Sequence, residues 1–294
     1  MNRFLKGMRA YASSHRYSLA LGALLALDIV VYSRYPHAFL GVLGFFLIIA
    51  YLGLDFVKPT GRGKPVSTKN ALKELALALG AAGAAWLIAC VLLNTSAPLN
   101  VVTSCSMLPN LERGDLIILQ GGSYSVRETG IDADLSQAAY EKHSYGVTDG
   151  ASSFVVTLQN VTVDGVDPFV YPLEACTVNY RDGTEARVPC SPSVTLAGES
   201  YSSAGNDIII FDPVPRSYGA IIHRALLRIN ARDGVYYLTK GDNNQFADQR
   251  TVMQLVPEGD VKGRVLFRVP LLGYLKLFFF WQFEEPQGCD YVLA

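Results

Sequence analysis

Residues Tyr218 to Ile229, Y-G-A-I-I-H-R-A-L-L-R-I, run into Asp233-Gly234 and then Val235-Tyr236-Tyr237-Leu238, and this stretch decides the fold. β-branched and aromatic residues fill both arms, and Asp-Gly between them is a strong hairpin signal. Upstream, Asp212-Pro213-Val214-Pro215 ends a preceding run, Ile208-Ile209-Ile210-Phe211, because proline donates no backbone N–H to a ladder. Leu116-Ile117-Ile118-Leu119 and Phe154-Val155-Val156-Thr157-Leu158 are runs of the same kind. From Val101 onward the chain therefore reads as mainly β, with residues 98–120 and 205–270 as its core. Gly121 to Gly205, richer in Ser, Gly, Thr and Tyr, reads as an inserted β subdomain, 121–204.

The first third has a different texture. Leu75 to Leu93 is uncharged and close to the ~20 residues that span a bilayer, Ala38 to Val57 carries only Asp55 near its end, and Tyr17 to Ser33 is a shorter run containing Asp28. The expectation is an anchor over 1–97 with about three transmembrane helices. Basic residues flank them unevenly: Arg3, Lys6, Arg9 and Arg16 precede the first, and Lys58, Arg62, Lys64, Lys69 and Lys73 separate the second from the third. On the positive-inside rule this gives an integral membrane protein of plasma membrane or endoplasmic reticulum, its N terminus cytoplasmic and its β domain extracytoplasmic. Tyr32-Ser33-Arg34 lacks the small residues of a cleavage site, which favours an anchor over a cleaved leader.

Of 294 residues, 50% are hydrophobic and 17% charged, with a net charge of -1. That balance excludes a disordered chain and a general nucleic-acid binder, which needs surplus Lys and Arg against phosphate. Five cysteines and four histidines form no Cys-x-x-Cys pair or Cys/His cluster, so neither a metal nor a cofactor is expected. No Walker or GxGxxG loop follows a strand, which disfavours phosphate binding. Cys176 and Cys190 either pair in an oxidising compartment or remain buried thiols. Asn160-Val161-Thr162 is a glycan acceptor pattern of a kind that also arises by chance. The apolar end, 271–294, with Phe278-Phe279-Phe280-Trp281, either lies on a membrane surface or is a buried terminal element.

Three segments carry chemistry: Ser104-Cys105-Ser106-Met107-Leu108-Pro109, Ile222-His223-Arg224, and Lys240-Gly241-Asp242-Asn243 with Asp248 beyond it. Singly each has a plain structural reading. A lone serine is a poor nucleophile without a base, a histidine in an apolar strand is usually a satisfied core residue, and Asp-Asn-Asn after a strand is usually a turn. In series they resemble the type I signal peptidases, in the archaeal and endoplasmic-reticulum branch that uses histidine as base. Gly263-Arg264-Val265 and Pro270-Leu271-Leu272-Gly273-Tyr274 resemble that branch too.

The resemblance implies a fold of N-terminal transmembrane helices followed by a mainly β extracytoplasmic catalytic domain with a β-rich insertion. It implies Ser106 as nucleophile, His223 as general base, and Asp248 and Asp242 as acidic partners, Asp248 being favoured to orient the imidazole. Ser104, with the Ser106 backbone N–H, would hold the oxyanion, and Lys240 would be structural. The implied activity is that of signal peptidase I, a membrane-bound serine endopeptidase of protein secretion. Its partners would be signal-peptide-bearing preproteins, the lipid bilayer and the translocation channel. Two other readings stay open: a catalytically silent tethered β domain that binds exported proteins, and a peptidase for a narrow class such as pilin-like precursors. Cys105 stands where the family has glycine, which places a thiol beside Ser106 and predicts inhibition by bulky thiol reagents.

Overall fold

The computed structural model describes residues 16–57, 68–149 and 152–294. Its chain divides into two compact units, one formed by Met1–Leu87, Arg113–Leu116 and Val269–Glu285, the other by Ile88–Glu112, Ile117–Arg268 and Pro286–Ala294.

The helices are α1 (Arg16–Arg34), α2 (Ala38–Val57), α3 (Thr68–Leu92) and the short α4 (Tyr274–Phe279). In the first unit α1 packs on α2 and α2 on α4. Its small core is aromatic: the buried Tyr32 ring meets Tyr274 and Phe278 edge-on, at centroid distances of 5.4 and 5.0 Å. Arg113 lies over the Tyr32 and Tyr274 rings and donates to the carbonyls of Gln282 (2.6 Å) and Glu284 (3.1 Å), which ties the chain after α4 to the helices. Close approach demands glycine at position 44, where a Cβ would stand 2.4 Å from the Phe278 ring and 2.7 Å from Asp28 Oδ2.

Among the described residues no helix is long and apolar enough to cross a membrane, a statement that does not extend to spans built of strands. Helices do form where three spans were expected. Within the described residues none of the three is long and apolar enough to serve as a span. The expectations of transmembrane helices, of the bilayer and translocation channel as partners, and of an integral membrane location are corrected accordingly. Arg3, Lys6, Arg9, Lys58, Arg62 and Lys64, on which the topology rested, lie outside the described residues. Large apolar side chains are nevertheless exposed on these helices, among them Leu27, Phe39, Phe46, Leu87 and Val91.

The second unit is built on strands β1 (Leu99–Val101), β2 (Leu116–Gln120), β3 (Glu128–Gly130), β4 (Ala139–Asp149), β5 (Ser152–Thr162), β6 (Glu174–Tyr180), β7 (Glu185–Cys190), β8 (Ser193–Leu196), β9 (Glu199–Ser202), β10 (Ile208–Phe211), β11 (Ile221–Ala231), β12 (Gly234–Lys240), β13 (Val256–Pro257), β14 (Val261–Val269) and β15 (Tyr291–Leu293). The main sheet runs β1-β2-β14-β10-β11-β12-β13, with β3 parallel to β11. It is buried on both faces: Ile210 packs with Val102, Met107, Ile117 and Leu119, whereas its neighbour Ile209 packs with Phe211, Ala225, Tyr237 and Val256. Two covered faces explain why Ile208–Phe211 is apolar throughout instead of alternating.

In the β11–β12 hairpin Ala231 pairs with Gly234, so the two-residue loop is Arg232-Asp233, one residue earlier than the Asp-Gly signal reads. Asp233 turns its carboxylate to the backbone N–H groups of Leu135 (3.0 Å) and Ser136 (2.7 Å). The ladder shifts register between Ala225 and Leu227, and both Leu226 and Leu227 enter one core cluster, with Leu238, Val161 and Val194. The segment between β3 and β10 forms the β4–β5 and β8–β9 hairpins and the β6–β7 pair, to which the terminal β15 adds a third strand beside β6 and in which a disulfide joins Cys176 to Cys190. That link closes a short loop, for which the chain-entropy picture gives ~3 kcal/mol.

Candidate functional site

Ser106 lies in the turn after β1. Met107, 1% exposed, and Leu111 anchor this turn in the core, and the Leu111 N–H bonds the Met107 carbonyl at 2.9 Å. His223 sits on β11, directly opposite Ile209 of β10, and is buried. Asp248 opens the 3-10 turn Asp248–Arg250 after β12 and is 2% exposed.

These three side chains form one chain of hydrogen bonds. His223 Nε2 is 2.9 Å from Ser106 Oγ, and His223 Nδ1 is 2.7 Å from Asp248 Oδ2. The same carboxylate oxygen accepts a bond from Thr239 Oγ1 at 2.6 Å. With Nδ1 donating to a carboxylate, Nε2 is left as the acceptor that faces the serine hydroxyl.

Asp242 is elsewhere engaged. Arg224 donates to it through Nε (2.8 Å) and Nη2 (2.7 Å), and Asn110 Nδ2 adds a third bond at 2.7 Å. Adjacent residues on a strand point to opposite faces, so His223 and Arg224 reach different acids. Ser104 Oγ lies 3.2 Å from Ser106 Oγ. Lys240 is buried, its Nζ donates to the Gly241 carbonyl (3.3 Å), and burial lowers its pKa against the raising influence of Asp242 and Asp248. Asn160 accepts from Tyr145 Oη at 2.6 Å and from Arg250. The Glu174 carboxylate and the Cys176 and Cys190 sulfurs lie within 4.8 Å of one another, and the two sulfurs are joined to each other.

Several residues that hold the site have no role assigned from sequence, although Gly241 and Asn243 lie in the Lys240-Gly241-Asp242-Asn243 segment. Asn243 is the main one: its backbone N–H donates to the Ser106 carbonyl (2.8 Å), and its Nδ2 lies 3.1 Å from the carbonyls of both Cys105 and Gly288 and 3.0 Å from that of Tyr291. It accepts in turn from the Leu293 N–H at 2.7 Å. Next to it, a Cβ on Gly241 would stand 2.6 Å from the Ser106 carbonyl oxygen. Cys105 is bonded to Cys289, so the thiol expected beside Ser106 is absent and the inhibition by thiol reagents that it implied is corrected.

The insert also reaches the acid's turn. Gln159 Nε2 donates to the carbonyls of Gln249 (3.1 Å) and Met253 (2.9 Å), and the Arg250 guanidinium lies 5.0 and 4.9 Å from the Tyr145 and Tyr171 rings. A cleft of about 400 Å³ opens at the serine, lined among others by Asn100, Val102, Ser104, Ser106, Ile222 and His223.

No family model matches this chain, and no solved structure matches it. It is similar to an uncharacterized protein of Methanocaldococcus jannaschii, 23% identical over 188 residues that cover 60% of this chain and 81% of the relative. The resemblance to type I signal peptidases therefore gains no support from any family or fold match. With no helix among the described residues able to cross a membrane, the signal peptidase assignment is withdrawn. Withdrawn with it are the peptidase fold class, the removal of signal peptides from preproteins, the secretory role, and the alternatives built on a membrane tether or pilin-like precursors.

Proposed function

We propose that Ser106, His223 and Asp248 act as nucleophile, general base and orienting acid of an acyl-transfer site that hydrolyses ester or amide bonds. The observation that carries the reading is the continuous Ser106–His223–Asp248 hydrogen-bond chain, with its acid and imidazole buried and its serine at a cleft. His223 Nε2 takes the Ser106 proton as Oγ bonds the acyl carbon, then returns it to the departing group. A water activated by the same nitrogen releases the acyl group. Ser104 Oγ and the Ser106 N–H are assigned to the oxyanion, where loss of one donor typically costs ~10²-fold or more. Asp242 is assigned a supporting role: with Arg224 and Asn110 it fixes the turn from which Asn243 holds the Ser106 carbonyl.

The test is pre-steady-state hydrolysis of a p-nitrophenyl acyl ester. A burst near one equivalent per chain, lost in Ser106→Ala and His223→Ala, is the expected result. Equal turnover by Ser106→Ala and the parent would overturn the reading.

A further inference from the structure

We infer that the Cys105–Cys289 disulfide is a redox site, at which a dithiol reductant releases the terminal segment Pro286–Ala294 and disables Ser106. The inference rests on the acyl-transfer reading for its consequence, though the release of the segment stands without it. Cys105 immediately precedes the nucleophile, and its partner lies 184 residues away in sequence, in a segment also held by β15 pairing with β6, by Asn243, by Arg181 bonds to the Cys289 and Asp290 carbonyls and by the Tyr180–Tyr291 ring contact. Asn243 is the shared point: one side chain binds the Cys105 carbonyl on the nucleophile's side and the Gly288 and Tyr291 carbonyls on the segment's side. The disulfide keeps these three acceptors together. Once it is cut, the segment can leave, and Asn243 loses two of its three acceptors and the Leu293 donor that fixes its amide orientation.

A route to the bond exists. A cavity of about 300 Å³ is lined by Cys289 together with Leu108, Asn179, Tyr180, Arg181 and Asp290, and Arg181 Nη2 donates to the Cys289 carbonyl at 2.7 Å. The reductant's thiolate bonds Cys289 Sγ, the S–S bond breaks, and Cys105 leaves as thiolate and takes up a proton. The reductant's second thiol then displaces Cys289, which is protonated, and the reductant departs as its own disulfide. Two electrons and two protons pass to the protein.

The experiment uses the whole chain with dithiothreitol as the reductant. Three readouts are followed: alkylation mapped by mass spectrometry, hydrogen exchange of residues 286–294, and the rate of Ser106 acylation by the nitrophenyl ester. The parent and Cys176→Ala/Cys190→Ala are expected to lose acylation about 10-fold or more on reduction of Cys105 and Cys289, with exchange rising across 286–294. Cys105→Ala/Cys289→Ala is expected to be slow from the outset and insensitive to dithiothreitol. Full acylation with both thiols alkylated, or unchanged exchange in 286–294 after verified reduction, overturns the inference. If the oxidised parent does not acylate at all, the acyl-transfer reading fails, and the exchange measurement still decides whether the disulfide releases the segment.

Discussion

Replacing Asp248 by Asn tests the site at its least exposed member. Asp248 Oδ2 accepts two hydrogen bonds, from His223 Nδ1 at 2.7 Å and from Thr239 Oγ1 at 2.6 Å. Asparagine keeps the shape but loses the charge, and whichever amide atom faces His223, the imidazolium formed in the reaction loses its counter-charge. If Nδ2 faces the ring, Nδ1 becomes the acceptor and Nε2 carries the proton, which leaves Ser106 without a base. In the serine protease triad the equivalent change lowers kcat ~10⁴-fold with the geometry intact. The same order is expected here for kcat/KM on the nitrophenyl ester. Two charge-assisted bonds become neutral, so the cost in stability is about 1.5–3 kcal/mol, small enough to leave the variant folded. Urea unfolding followed by circular dichroism checks the fold, and ester hydrolysis across pH checks the chemistry. A folded Asp248→Asn chain that works within 10-fold of the parent would refute the role given to Asp248.

Asp242→Asn should divide differently: removing one partner of a largely buried pair with Arg224 is expected to cost about 2–4 kcal/mol in urea unfolding, with the larger effect on stability and the smaller on kcat. Gly241→Ala places a methyl 2.6 Å from the Ser106 carbonyl, so the nucleophile's turn must shift, and ester turnover should fall ~10²-fold alongside a loss of about 1–3 kcal/mol in urea unfolding. Asp28 is buried in the helical unit with neither carboxyl oxygen hydrogen-bonded, and burial pushes its pKa up to about 6. A carboxyl raised in the folded state costs stability as pH rises from about 4 through 6. Asp28→Asn should therefore stabilise by ~1–3 kcal/mol at pH 7–8, with the gain vanishing below pH 4. A gain independent of pH would show that the charge is not its cause.

Much of the sheet can be read from local pattern, because a strand covered on both faces must be apolar throughout, as Ile208–Phe211 is, and a hairpin carries its own turn chemistry, displaced here by a single residue at Asp233. His223 stands out in sequence as a polar residue in an apolar strand. What cannot be read is long-range pairing. Cys105 meets Cys289 across 184 residues, and cysteine connectivity does not follow from spacing. The preference for Asp248 over Asp242 as the partner of His223 comes from the resemblance, and no local pattern carries it. Asp242 and Asp248 are near neighbours on one loop, and strand alternation at His223-Arg224 separates them. Asn243 looks like an ordinary turn residue, and its work appears only once two distant backbones converge on its side chain. The helices are legible as helices, whereas among the described residues none is long and apolar enough to cross a membrane.

The most direct measurement is labelling of the intact protein with a fluorophosphonate, with the adduct located by mass spectrometry. The account predicts a single adduct on Ser106 at neutral pH, formed at least ~10³-fold more slowly in His223→Ala. Labelling at the parent's rate in His223→Ala, an adduct on another serine, or no adduct on the folded oxidised protein would contradict it.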